Sequence, residues 1–268
     1  MSISLYVVST PIGNLEDFSE RGRKILSNVE YILCEDTRIT ARLLDRIGIR
    51  KKLLVYNDHN AVTSIPYIIS SMLSGVVYAQ VSDAGTPLIS DPGYKLINAC
   101  IENNLQYTAI PGACATINAL LLSGFPCDKF LFAGFVDHAN LESLASVNAT
   151  IILYESPMKL VRTLERMSQY FENRNIAVVR EMTKVHEEVI RGSIDEVRTH
   201  FSINRPQGEL VIVITPPIKN FDEIEKYDEI ITMLAKTVPL KKIANTLSKV
   251  IRMPKNVVYN HIKALLNE

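Results

Sequence analysis

The sequence predicts an α/β protein made of two successive α/β units and a helical tail, and three observations predict it. Short apolar runs alternate with helical patterns over residues 5–122. A second alternating series begins at Gly124-Phe125-Pro126. After Pro216-Pro217 the pattern turns helical and the charge changes sharply. The expected division is therefore 1–123, 124–217 and 218–268. A chain of 268 residues exceeds one typical domain, and its 47% hydrophobic and 22% charged residues lie near globular averages, so a sizeable core can be buried.

In the first unit, residues 5–8, 31–34, 53–55, 76–81 and 107–110 are short and apolar, as strands buried on both faces should be. Residues 19–26, 38–47, 62–73, 94–102 and 115–122 have helical periodicity, and Gly48 and Gly75 stand where helices stop. Strands alternating with helices imply a parallel sheet covered on both faces. In the second unit the expected strands are 130–132, 151–154, 176–179 and 210–214, with a further one near 187–191 and a helix over 158–171. The tail, 223–266, reads as helices around a tight turn at Ile251-Arg252-Met253-Pro254.

Residues 81–93, Val-Ser-Asp-Ala-Gly-Thr-Pro-Leu-Ile-Ser-Asp-Pro-Gly, are the most informative stretch. A strand that ends in small residues and opens a helix lies at the carboxyl edge of the sheet, where α/β folds bind ligands. The connection runs to about a dozen residues, well beyond the usual few. Gly85 and Gly93 allow unusual backbone geometry, and Asp91-Pro92 reads as an N-cap followed by the first helical residue. Pro11-Ile12-Gly13 and the run Pro111–Thr116 (Pro-Gly-Ala-Cys-Ala-Thr) repeat the small-residue theme at two more strand ends. Three such loops argue for a substantial organic ligand spread over the edge. No G-x-G-x-x-G and no phosphate-binding G-x-x-x-x-G-K-[ST] occurs.

Lys+Arg and Asp+Glu are both 29, so global charge does not draw nucleic acid and a polyanion needs a local patch. One candidate follows Glu35-Asp36-Thr37. Arg38, Arg42 and Arg46 share a helical face and Arg50, Lys51 and Lys52 follow, six cations against the single acid Asp45. A solvated surface helix gives the same pattern, and Asp36 or Thr37 also suits a helix cap. The tail is the other candidate. Residues 222–229 hold five acids and one lysine, whereas 236–263 hold seven Lys/Arg and no acid. This suits nucleic-acid contact and equally suits a helical cap. Glu155, Arg180, Glu181 and Lys184 stand at strand ends of the second unit, as site residues or as salt bridges. The five histidines have no metal spacing. Cys34, Cys100, Cys114 and Cys127 form no C-x-x-C pair and read as small buried thiols of a reducing compartment. Neither a leader pattern nor a membrane-length apolar run is evident, so a cytoplasmic protein with no membrane partner is expected.

Taken together, Leu-Tyr-Val-Val-Ser-Thr-Pro-Ile-Gly-Asn-Leu-Glu-Asp (5–17), Glu-Asp-Thr-Arg (35–38), the 82–93 motif, Pro-Gly-Ala-Cys-Ala (111–115), Tyr-Glu-Ser-Pro (154–157), Arg-Glu-Met-Thr-Lys (180–184) and Gly-Glu-Leu-Val-Ile-Val-Ile (208–214) resemble the ribosomal RNA small subunit methyltransferase I family, of the tetrapyrrole methylase fold group. The resemblance spans almost the whole chain. It implies two α/β domains of that type with a cleft between them, a helical C-terminal extension and a homodimer. It also implies S-adenosylmethionine-dependent 2′-O-methylation of a cytidine ribose in 16S rRNA. Carried onto this sequence, it puts Pro11, Asp83, Ala84, Gly85, Ala115, Thr116, Tyr154 and Glu209 around the cofactor. For that reaction a base should help a ribose hydroxyl lose its proton, and Glu35, Glu155 and Glu181 are the candidates, with no metal needed. Arg38, Arg42, Arg46 and Lys184 would bind RNA. The chain departs from the family after Gly134-Phe135. Leu-Pro and a basic segment usually follow there, whereas residues 136–146 contain no Lys or Arg; Met158-Lys159 likewise replaces a common His-Arg. Two alternatives follow: a small-molecule methylase of the tetrapyrrole type, and a non-catalytic RNA-binding homologue.

Overall fold

A computed structural model describes residues 3–217, 224–251 and 253–266. The chain separates into two compact units, Met1–Pro217 and Ile218–Glu268.

The first unit contains two five-stranded sheets. Strands β1 (Leu5–Val8), β2 (Tyr31–Cys34), β3 (Lys52–Val55), β4 (Tyr78–Gln80) and β5 (Tyr107–Ile110) form an all-parallel sheet of order β3-β2-β4-β1-β5. The helices between them are α1 (Glu20–Asn28), α2 (Thr37–Arg46), α3 (Ala61–Leu73) and α4 (Tyr94–Glu102). Alternating strand residues feed two cores. Leu5, Val7, Leu33 and Tyr78 pack with Ile68 of α3 and Leu96 of α4, while Val8, Ile32 and Ala79 pack with Leu26 of α1 and Leu44 of α2. This is the two-faced burial expected of a parallel sheet.

The second sheet is mixed. Its strands are β6 (Phe130–Phe135), β7 (Thr150–Glu155), β8 (Asn175–Arg180), β9 (Glu188–Ser193) and β10 (Leu210–Ile214), in the order β6-β7-β10-β8-β9; only β6 and β7 run parallel. One face packs on α6 (Leu141–Ala145), α7 (Leu160–Met167) and α8 (Ile194–Ile203) through Leu141, Leu164, Met167, Val197 and Phe201. The other face is covered by α5 (Ala115–Ser123), whose Ala119 and Leu120 meet Ile152, Ala177, Val179, Val211 and Val213. Helix α5 leaves the first sheet and packs on the second. Ile12, from the loop after β1, joins the same cluster.

Three local expectations are corrected. Asp91 does not cap α4. That helix starts at Tyr94 with Gly93 in the cap position at φ +146, and it makes no side-chain cap bond. A Cβ at Gly93 would collide with Gln80 and Leu88, and the Gln80 side-chain amide donates to the Pro92 carbonyl at 2.7 Å. The helix expected over 158–171 is only Leu160–Met167. Helix α8 was not expected, although its start is written as Ser193-x-x-Glu196, and both halves of that capping box form. Gly48 and Gly75 follow α2 and α3 at positive φ, as stops should. All four cysteines are free, but only Cys34 and Cys100 are buried as expected; Cys114 is half-buried and Cys127 exposed.

The second unit holds α9 (Asp228–Ala235), α10 (Leu240–Val250) and α11 (Lys255–Leu265) around Ile231, Ile243, Ala244, Val258 and Ile262. His261 bonds Asp228 across it at 2.7 Å. Pro254 opens α11, where the turn was expected. Glu223 and Arg252 lie outside the described residues.

Candidate active site

The loops after β1, β4 and β5 are neighbours because those strands are neighbours. Their main chains are tied together. The Thr10 N–H donates to the Gly85 carbonyl at 2.8 Å, and the Gly85 N–H donates back to Thr10 at 3.1 Å. The Thr86 hydroxyl donates to the Ala113 carbonyl at 2.9 Å and lies 3.1 Å from that of Ser9. Gly85 sits at φ +82 with the Ile12 side chain close by, so a side chain there would be strained. Leu88 and Ser90 are also left-handed, at φ 73 and 64, which is uncommon for non-glycine residues and concentrates at functional sites.

A cavity of about 450 Å³ opens at this edge and runs across to the second sheet. Its first wall includes Glu35, Ala84, Gly85, Thr86, Ser90, Asp91 and Ala115; its second includes Phe135, Tyr154, Glu155, Met182 and Glu209. The volume lies within the usual range for small-molecule sites. Among the described residues, its lining contains four acids (Glu35, Asp91, Glu155 and Glu209) and no Lys, Arg or His.

Of the residues singled out in the sequence, Glu35, Ala84, Gly85, Ala115, Tyr154, Glu155 and Glu209 line the cavity. The others support it from outside or stand apart. Pro11 precedes the lining residue Ile12. Asp83 accepts the Asp36 N–H at 3.2 Å, which fixes the β2 loop against the β4 loop. Thr116 holds the Tyr154 hydroxyl at 2.8 Å. Glu181 bonds Lys184 at 2.9 Å and accepts the Glu209 N–H, also at 2.9 Å; Lys184 reaches Glu209 at 3.1 Å as well. Arg38, Arg42 and Arg46 are exposed along α2, and Arg38 is held by Asp36 through two nitrogens.

The carboxylates differ in availability. Glu35 is exposed at the cavity mouth, and partial desolvation, then the charges of Asp83, Asp58 and Asp36, raises its carboxyl. Burial also raises Asp83, with Asp36 adding to it. Asp91 is pushed up to about 6, by burial first and then by Glu35 and Asp83. By contrast the Lys184 hydrogen bond lowers Glu181, and the Arg38 hydrogen bond lowers Asp36 to about 2. Glu155 is buried with both oxygens engaged, one on the Ser156 N–H at 2.6 Å and one on the Thr163 hydroxyl at 2.5 Å.

Sequence reasoning missed Asp91 as a cavity residue because Asp-Pro before a helix is also a capping pattern. Phe135 and Met182 gave no signal beyond lying in or beside quoted motifs. The paired left-handed positions at Glu181 and Thr183 were equally invisible.

A family model described as Tetrapyrrole (Corrin/Porphyrin) Methylases matches residues 4–198. The ribosomal RNA small subunit methyltransferase I of Mesorhizobium japonicum is 38% identical over 98% of this chain and 92% of its own. The chain belongs to the ribosomal RNA small subunit methyltransferase I family, among the tetrapyrrole methylases. The relative of the same name from Rickettsia prowazekii is 44% identical over 79% of this chain and 78% of its own. Solved structures share the fold. Uroporphyrin-III-C-methyltransferase from Thermus thermophilus superposes with a TM-score of 0.57 at 19% identity, covering 78% of this chain and 93% of its own. Diphthine synthase gives 0.59 at 14% identity, covering 80% and 90%. The family is one of methyltransferases, enzymes that move a methyl group from a donor to an acceptor. No helix among the described residues is long and apolar enough to cross a membrane.

Proposed function

We propose that this chain uses S-adenosylmethionine to methylate the ribose 2′-hydroxyl of a cytidine in 16S rRNA. The observation that carries the reading is the charge of the cavity: four acids and no cation line a space of about 450 Å³. That lining is hostile to a phosphate and complementary to a donor bearing positive charge. When bound, such a donor supplies a methyl group on a positively charged sulfur. The residues fit it. Ala84, Gly85 and Ala115 leave main chain open to close approach, beside Pro11, Asp83, Thr116 and Tyr154. Cys114 caps α5 without a side-chain bond, so the amino end of that helix suits the donor's carboxylate. Asp91 and Glu35 supply the counter-charge, while Glu209 at the rim is already paired with Lys184.

Glu35 is the proposed base. It lines the cavity, its carboxyl is raised above its ordinary value by partial desolvation and neighbouring acids, and no hydrogen bond to it competes among the described residues. Its carboxylate takes the proton that the attacking hydroxyl must lose. Glu155 and Glu181 hold loops in shape. Arg42 and Arg46 meet phosphates outside the cavity, with smaller shares for Arg38 and Lys184, which already bond carboxylates. A working division at 1–123, 124–217 and 218–268, a homodimer and a cytoplasmic location belong to the same reading.

The test is mass-spectrometric mapping of ribose methylation in small-subunit RNA incubated with the protein and labelled donor. One new 2′-O-methylcytidine is expected. No label in ribosomal RNA, beside an active family enzyme as control, overturns the reading.

A further inference from the structure

Strand β6 is one edge of the second sheet, and it is irregular. Phe132 pairs with Ile152 and Phe135 with Tyr154, so three steps along β6 match two along β7. One residue is extra, and Gly134 takes φ +70. In an unbroken strand, residues three apart point to opposite faces. Here both rings meet the same tyrosine. Phe132 lies 4.9 Å from Tyr154 and Phe135 5.6 Å from it, both edge-on. The bulge has turned Phe135 onto the cavity face, a use to which bulges beside active sites are put. Tyr154 is in turn fixed by Thr116. Phe135 lines the cavity and yet is 65% exposed. Single exposed apolar side chains are ordinary, but this one is aimed by a backbone irregularity and braced from behind.

We propose that Phe135 forms a nucleobase subsite at the cavity mouth, on which the base of the acceptor nucleotide stacks. This rests on the RNA reading above. Single-stranded RNA is commonly held by stacking unpaired bases on exposed aromatic rings. A stack at the mouth orients the attached ribose toward the cavity while its phosphates stay outside the acidic lining. Phe135 is thus a positioning residue, and it takes no part in proton or methyl transfer.

The experiment compares Phe135→Ala, Phe135→Leu, Phe135→Tyr and Phe135→Trp in the full chain, with thermal melts checking that each folds. Three quantities are read: KM and kcat on small subunits, S-adenosylmethionine affinity by calorimetry, and affinity for a fluorescent single-stranded oligonucleotide by anisotropy. Loss of the ring should raise KM and weaken oligonucleotide binding about tenfold, the size of one base–aromatic stack. Donor affinity should stay within about twofold by the same reasoning. Tyr and Trp should restore binding; Leu should not. The proposal is overturned if Ala binds the oligonucleotide as tightly as the parent, if Leu rescues as well as Tyr, if only donor affinity changes, or if the variants alter the oligomeric state instead. A protein that binds RNA through Phe135 but methylates none would sink the methyltransferase reading and leave the stack standing.

Discussion

The carboxylates on and behind the two walls of the cavity make an instructive comparison. On the first sheet, Glu35, Asp83 and Asp91 crowd one another, and each is raised by burial and by its neighbours' charge. On the second, Glu155 and Glu181 are equally acidic in composition but bonded internally, one to Ser156 and Thr163, the other to Lys184 and Glu209. Lining a cavity and being available to a ligand are different properties. Among the described residues, the carboxylates of one wall pair with no cation; those of the other have used their charge to shape loops.

The sharpest way to break that contrast is at Glu35. Replacing it with Gln should cut kcat on small subunits about 100-fold or more, the usual size of general-base catalysis, while donor affinity changes little. A variant with near-normal turnover would move the proton acceptor elsewhere. Glu155→Gln should behave in the opposite way. Weakening a buried, doubly bonded carboxylate should cost about 2 kcal/mol of stability, a melting shift of several degrees, with far smaller loss of turnover in the folded enzyme. Equal stability to the parent in a thermal melt would mean that its two bonds are idle.

Asp91 allows a pH test with a definite sign. Its carboxyl is raised from 3.8 to about 6, so ionising it in the empty protein is unfavourable. The contribution to stability is fully present below about pH 4 and is lost as pH rises through about 6. Asp91→Asn, always neutral, should therefore melt higher than the parent at pH 7.5 and no higher at pH 4. A cationic donor favours the ionised form, so donor affinity in the parent should fall as pH drops through about 6. In the variant it should be weaker by about tenfold at pH 7.5, a 1.4 kcal/mol effect, and nearly flat with pH. Calorimetry across that range checks both; an unchanged pH profile would show that Asp91 does not sense the donor. The smallest effect is expected on α2. Arg42→Ala and Arg46→Ala should each weaken subunit binding a few-fold and flatten its salt dependence by about one charge. Arg38→Ala should do less, because Asp36 already holds that guanidinium. Equal losses at all three positions would mean that the pair opens on binding.

Much of the fold could be read in advance, because strands such as 5–8, 31–34, 107–110 and 210–214 are apolar runs bounded by polar turns, and the structure starts and stops them at the same residues. The carboxyl-edge loops were readable for the same reason: small residues after a strand have few other uses. What stayed hidden depends on contacts distant in sequence. Asp91 fits both a cap and a cavity wall, and only the Leu88 and Gln80 side chains pressing on Gly93 decide between them. The spent state of Glu155 needs Thr163, eight residues on. The bulge that turns Phe135 is defined by register against β7, which no single strand records. That α5 would leave its own sheet is likewise a matter of packing, not of pattern.

The course of α5 has a mechanical consequence. Its first turn borders the cavity, its middle is buried on the second sheet, and its final carbonyls at Leu122 and Ser123 are clasped by the Arg191 guanidinium from β9. One helix therefore runs from the cavity to an anchor on β9. A substitution at Arg191, far from any chemistry, is therefore expected to loosen the seating of that rod and to be felt at the cavity as a change of gauge.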